Sequence, residues 1–314
     1  MNMNRRELLR QSAVLGVAAG FGSVLRAKET SVDTAINVSG VRISPLPVPE
    51  GGKLPVALVL GKGAVVLDFA GPLEVFTGAT TKDGNMLFAP YMVAVTKDPV
   101  TVGVGMKVVP HHDFKSAPQP KVIVIPAMNF SAKDTEMIDW IRTASKGTDV
   151  TMSVCNGAFV LAKTGLLDGK SATCHHGGFF EFAVTYPNVH LKRGARFVEQ
   201  GNLASAGGVS SGIDLAMHVV ERYVGHDRAL QVADGMEYQG KGWLDPNSNE
   251  VYAKMSPRNA ARPMCVICQM ETDRSIATNY KGQTFYFCMK DHKDVFEKHT
   301  DVYERFLAED AQAK

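Results

Sequence analysis

Cys155 stands at the end of a strand-like run in TMSVCNGAFVLAK, with Asn156 and Gly157 after it and a helical pattern beyond. A strand running into a cysteine, then small residues, then a helix predicts a sharp turn that lifts the side chain off the sheet. The turn also puts sulfur at a helix start, where free N–H groups and the helix dipole favour thiolate, the reactive form. A buried, inert thiol is the alternative, and a common state for a free cysteine. Near the other end, Cys265-x-x-Cys268 is followed, after nineteen residues, by Cys288-x-x-x-His292. Two short pairs of thiolate and imidazole ligands suit a tetrahedral ion, zinc and copper equally. A disulfide joining Cys288 to Cys265 or Cys268 is the competing reading. His111-His112-Asp113 has ligand-type residues too, but reads better as a turn at a strand end.

Short apolar runs alternate with amphipathic stretches to carry these groups. The pattern predicts strands at residues 56–60, 91–96, 105–110, 121–125 and 150–154. It predicts helices from about Pro72 and over residues 134–145, 157–163 and 213–223. Such alternation indicates an α/β domain with a largely parallel sheet, here residues 55–235. Residues 28–54 are rich in proline and glycine and read as a linker. A second linker is expected over 236–262, and a small α+β metal-binding domain over 263–310. A domain of that size has little core, so a bound ion would help it fold.

The 314 residues are 45% hydrophobic and 21% charged, which excludes a disordered or fibrous chain. A net charge of +2 gives no reason to expect nucleic acid as a partner. Residues 1–27 hold Arg5, Arg6, Arg10 and Arg26 against the single acid Glu7, around a modest apolar stretch. That arrangement reads as an export signal, and it is short for a membrane span of about 20 apolar residues. NRRELLR resembles the twin-arginine motif, with Asn4 and Leu8 where Ser/Thr and Phe are more usual. The expected location is periplasmic, with no stable membrane insertion once the leader is removed; an amphipathic helix or a retained anchor is the other reading.

Three segments in order carry a family resemblance: LVLGKGAVVLDFAGPLEVFTGA, SVCNGAFVLAKTGLLDGKSATCHH and FVEQGNLASAGGVSSGIDLAMHVVERY. They resemble the ThiJ/PfpI superfamily, nearest its isonitrile hydratase and AraC-fused sensor branch. The resemblance implies the class I glutamine amidotransferase-like fold, a flavodoxin-like parallel sheet sandwiched by helices. It implies Cys155 as nucleophile and Asp68 as the acidic partner beside the thiol. Without it, Asp68 reads as a turn or cap residue before the helix near Pro72. Amides near Ala127 and Asn156 are expected to hold developing negative charge. His175, in Thr173-Cys174-His175, is a base or a pocket wall. Proteolysis-linked members carry His where this chain has Asn156, which disfavours a peptidase. The implied chemistry is hydration or hydrolysis of a small electrophile, an isonitrile or reactive carbonyl, with no cofactor in the α/β domain. The alternative is a non-enzymatic small-molecule, redox or metal sensor. A homodimer is implied by the resemblance alone. No helix-turn-helix follows the α/β pattern, unlike the AraC-type fusions.

The tail resembles the YHS domain, related to the TRASH metal-binding family, through Cys268-Gln269-Met270, Tyr280-Lys281-Gly282, Phe285-Tyr286-Phe287-Cys288, His292, Phe296 and Tyr303. Gln269 replaces the usual Gly and His292 the commoner Cys. The ligand set implied is Cys268, Cys288 and His292, with Cys265 as a fourth.

Overall fold

Residues 54–59 (LPVALV) and 122–125 (VIVI) are apolar at almost every position, as expected of strands covered on both faces. A computed structural model describes residues 44–49, 52–131, 133–254 and 263–312. The leader, most of the first linker and residues 255–262 lie outside the described residues.

The elements are β1 (Leu54–Val59), α1 (Val66–Gly78), β2 (Phe88–Ala94), β3 (Val100–Val102), β4 (Met106–Val108), β5 (His112–Asp113), β6 (Val122–Ile125), α2 (Thr135–Ala144), β7 (Val150–Val154), α3 (Gly157–Lys163), β8 (Ser171–Ala172), α4 (Phe179–Thr185), β9 (His190–Leu191), β10 (Phe197–Gln200), β11 (Leu203–Ala206), α5 (Ser211–Val224) and α6 (His226–Gly235). The tail follows with β12 (Ile276–Tyr280), β13 (Gln283–Phe287), α7 (Lys290–Lys298) and α8 (Thr300–Gln312). One seven-stranded sheet has the order β10-β11-β7-β6-β1-β2-β5. All neighbours in it are parallel except β10 and β11.

Successive side chains along a strand point to opposite faces, and the two cores follow that period. Val56, Leu58, Val122 and Val124 belong to the layer that includes Phe69, Val75 and Leu215 of α1 and α5. Ala57, Val59, Ile123 and Ile125 belong to the layer that includes Ile138 of α2 and Val160 of α3. The tail joins this second layer, with Ile267, Phe285, Phe296 and Phe306 buried in the same cluster as Phe180 of α4. Phe180 lies 6.2 Å from the rings of both Phe296 and Phe306.

The predicted strand at 150–154 and helix at 157–163 coincide with β7 and α3. α1 instead begins at Val66, with Pro72 inside it. Proline favours a first turn, which is why the sequence suggested a start there. The earlier start is held by tertiary packing: a Cβ on Gly71 would come 2.8 Å from Cγ1 of Ile213, so α1 and α5 are in close contact. Asp68 therefore sits in the first turn of α1 rather than ahead of the helix. The described part of the expected second linker also differs. Trp243 is buried, and its N–H donates to the Asp214 carboxylate at 3.0 Å, as does the Tyr238 hydroxyl. A buried carboxylate needs such donors, and residues 236–254 supply them by packing on the α/β domain. Among the described residues no helix is long and apolar enough to cross a membrane.

Candidate functional site

The chain reverses its direction of sheet growth between β1 and β6, and adjacent parallel strands leave a crevice at their carboxyl ends there. Asp68 follows β1, Ala127 follows β6, Cys155 follows β7 and Gly207–Val209 follows β11. Four neighbouring strands thus deliver the predicted residues to one end of the sheet.

Cys155 has φ +59°, the left-handed region that a non-glycine residue enters at a cost of about 1–3 kcal/mol. Its N–H donates to the Gly207 carbonyl at 2.9 Å, which ties the turn to the end of β11. The turn needs Gly157: a Cβ there would lie 2.1 Å from the Ile125 carbonyl oxygen. Cys155 is buried, and burial first, then the nearby Asp68 charge, push its thiol up to about 12. The N–H groups of Asn156 and Val209 act in the opposite direction by hydrogen bonding to sulfur. The sequence reading expected the helix start to favour thiolate; here burial and the carboxylate outweigh those two donors.

Asp68 is fully buried, and Oδ2 accepts the Ala127 N–H at 2.9 Å. Oδ1 is buried with no partner. Burial raises the carboxyl to about 7, against the lowering effect of the Ala127 bond. The Ala127 amide thus serves Asp68, and the pair of donors at sulfur is Asn156 and Val209. Val209 was not among the expected site residues, although its turn, AGGVSSG, was visible in the sequence.

His175 Nδ1 accepts the Gly177 N–H at 3.0 Å, so the neutral ring carries its proton on Nε2. Burial and His176 hold its pKa below the usual histidine value. The ring lies against Gly208, where a Cβ would be 2.8 Å from Cδ2. With Nδ1 so committed and the ring lining the cleft, His175 fits a pocket wall rather than a base. Cys174 is buried, and burial followed by the Cys155 charge raises its thiol. A cleft of about 250 Å³ opens beside these groups, lined by Leu67, Cys174, His175, Val209 and Asn249 among others.

In the tail, the ligand atoms of Cys265, Cys268, Cys288 and His292 all lie within 4.8 Å of one another. His292 Nδ1 is 3.4 Å from Cys265 Sγ and 3.2 Å from Cys288 Sγ, and the Cys268 and Cys288 sulfurs are 3.5 Å apart. A tetrahedral zinc with Zn–S bonds of about 2.3 Å holds its sulfurs about 3.8 Å apart, so small shifts fit the donors to an ion. All five cysteines are free thiols. A hydrogen bond from Cys268 leads the effects that hold Cys265 down to about 4, while Cys268 is pushed up. His111 and His112 do not join this cluster: the Met92 N–H donates to His111 Nδ1, and His112 lies in β5 beside Tyr91.

The sequence pattern of the DJ-1/PfpI family matches residues 55–222. Isonitrile hydratase of Pseudomonas putida is 30% identical over 175 residues, 55% of this chain and 73% of that protein. The HTH-type transcriptional regulator CdhR of Pseudomonas aeruginosa is 30% identical over 98 residues, 31% of this chain and 29% of the regulator. Among solved structures, a THiJ/PfpI family protein from Pseudomonas syringae superposes with a TM-score of 0.54 at 26% identity, covering 62% of this chain and 78% of that one.

Proposed function

The chain belongs to the DJ-1/PfpI family, and from that premise we propose that it is a hydratase-type enzyme in which Cys155 attacks a small electrophile, an isonitrile by preference. The observation that carries this reading is the Cys155–Asp68 pair, a thiol raised to about 12 beside a carboxyl raised to about 7. Above pH 7 Asp68 is a carboxylate able to take the thiol proton as sulfur forms its bond to carbon. The proton then passes to the isonitrile carbon, giving a thioimidate. Water adds to that carbon, the carbon–sulfur bond breaks, and an N-substituted formamide leaves with Cys155 regenerated. The Asn156 and Val209 N–H groups stabilise negative charge on sulfur at the start and end of the cycle. Homology to isonitrile hydratase supports the choice of substrate over a reactive carbonyl.

Incubation of wild type and Cys155→Ser with a panel of small isonitriles, glyoxals and peptides tests the reading. Formamide production by wild type alone is expected; equal production by both proteins rejects it. A second reading, a small-molecule sensor, is supported by the regulators among the relatives. Saturable ligand binding without turnover is its signature.

The twin-arginine sequence supports export to the periplasm, and the Cys3His cluster supports a tail-bound zinc or copper ion held by Cys265, Cys268, Cys288 and His292. The ion would fix the two loops and supply no step in the chemistry at Cys155. A homodimer is the assembly proposed, from the family resemblance.

A further inference from the structure

The two residues between Cys265 and Cys268 face a cavity that adjoins the cleft lined by Val209, whose N–H bonds the Cys155 sulfur. Val266 and Ile267 lie between Cys265 and Cys268, and both line a cleft of about 180 Å³ between the tail and the α/β domain. That cleft and the one beside Cys174 and Val209 share His176, Phe179 and Tyr252. His176 and Tyr252 stack with ring centroids 5.2 Å apart at 20°, forming a partition common to both. Together the two spaces reach the size of an ordinary small-molecule site, about 300–1,000 Å³.

The tail loop is fixed against this partition. A Cβ on Gly177 would stand 2.8 Å from the Cys268 carbonyl oxygen, so the metal loop abuts the 175–178 segment. Gly178 in turn touches Asn156: a Cβ there would be 2.6 Å from Oδ1. On the far side Arg193 fixes α8. Its guanidinium pairs with Glu309 and Asp310, each at 2.8 Å, and donates to the Phe306 and Ala253 carbonyls.

We propose that the Cys-Val-Ile-Cys loop is the distal wall of the substrate cleft, so that the tail selects electrophiles carrying an apolar, ring-sized substituent. This rests on the reading of Cys155 as nucleophile toward a small electrophile. The reacting carbon meets Cys155, and the substituent extends past the His176–Tyr252 partition to Val266 and Ile267. The charge of Arg193 is matched by Glu309 and Asp310, which leaves the wall suited to uncharged groups.

The test reads labelling rather than turnover. Cys155 adds to a maleimide by forming a carbon–sulfur bond as the ring double bond opens, and the thiol proton ends on the adjacent carbon. Rates for N-benzylmaleimide and N-methylmaleimide are followed by mass spectrometry of the Cys155 peptide in the full chain, each divided by its rate with glutathione. The expected ratio favours the benzyl reagent by about tenfold, the scale of discrimination an apolar pocket gives. Val251, 80% exposed at the cleft mouth, is changed to Trp so that its indole occupies the space without disturbing the core. The ratio is expected to fall toward one in Val251→Trp and to fall partway in Val266→Ala. A ratio near one in the unaltered chain, or one that Val251→Trp leaves unchanged, overturns the proposal. A chain that keeps the ratio but forms no formamide loses the hydratase reading and not this one.

Discussion

Asp68 carries the clearest single-residue consequences. Its carboxyl is raised from 3.8 to about 7, so between those values the folded chain holds a proton that the unfolded chain has lost. Stability therefore falls as pH rises through this window, by on the order of 4 kcal/mol at most. Asp68→Asn removes the titration and keeps an oxygen for the Ala127 N–H. We expect its stability relative to wild type to increase between pH 4 and pH 8, measured by urea unfolding at each pH. An identical pH dependence in the two proteins would mean that Asp68 is not the buried acid described here. Cys155→Ser is expected to lose about a hundredfold or more in the proposed turnover while staying folded, because it removes the proposed nucleophile and little volume. The sequence made Cys155 legible through strand, turn and helix in one short segment. Asp68 needed the family resemblance, since its burial comes from α1 packing on α5, over a hundred residues away. Val209 acts through its backbone N–H, which no side-chain pattern announces. The rise of the Cys155 thiol was equally illegible: it depends on how deeply the turn is covered and on a carboxylate from the first turn of α1.

Between elements, the tail and the α/β layer meet through aromatic rings and one buried arginine. The sequence suggested a small domain held together mainly by its ion, because 45–50 residues make a poor core alone. In the structure Phe285, Phe296 and Phe306 complete a cluster shared with Phe180. Burial of each such ring is worth about 1.5–3 kcal/mol. Cys288→Ser, or a chelator, should therefore loosen the ligand loops and leave α8 docked. Hydrogen exchange is expected to speed up near residues 264–270 and 287–292, with α8 still protected; loss of protection along all of α8 would restore the picture of an ion-dependent domain. Arg193→Ala should do the reverse. It removes bonds to two carboxylates and two carbonyls, costs about 1–3 kcal/mol, and should raise exchange in α8 while the ligand loops stay protected. The strands and helices of the α/β domain were largely readable from apolar runs and turn residues. The packing of residues 236–254 was not, because a segment rich in Asn, Pro and Ser gains its order from Asp214 and Arg196, far away in the chain. Arg196 Nε donates to Asp214 at 2.6 Å, and Nη1 to Asn249 at 3.1 Å.

For the whole chain, the proposal joins an N-terminal export signal, a thiol–carboxyl pair at the strand ends and a Cys3His tail. Replacing Arg5 and Arg6 by lysine keeps the charge and removes the paired guanidinium groups, so export is expected to stop; cell fractionation would read it, and undiminished export would reject the twin-arginine assignment. We propose Asp68 as the base for Cys155. This role is tested most directly by the rate of Cys155 alkylation with iodoacetamide between pH 5 and pH 10, in wild type and Asp68→Asn, read on the Cys155 peptide. The wild-type rate is expected to rise with a midpoint near pH 7, as Asp68 becomes a carboxylate, with no such step in Asp68→Asn. The same midpoint near pH 7 in both proteins would contradict it.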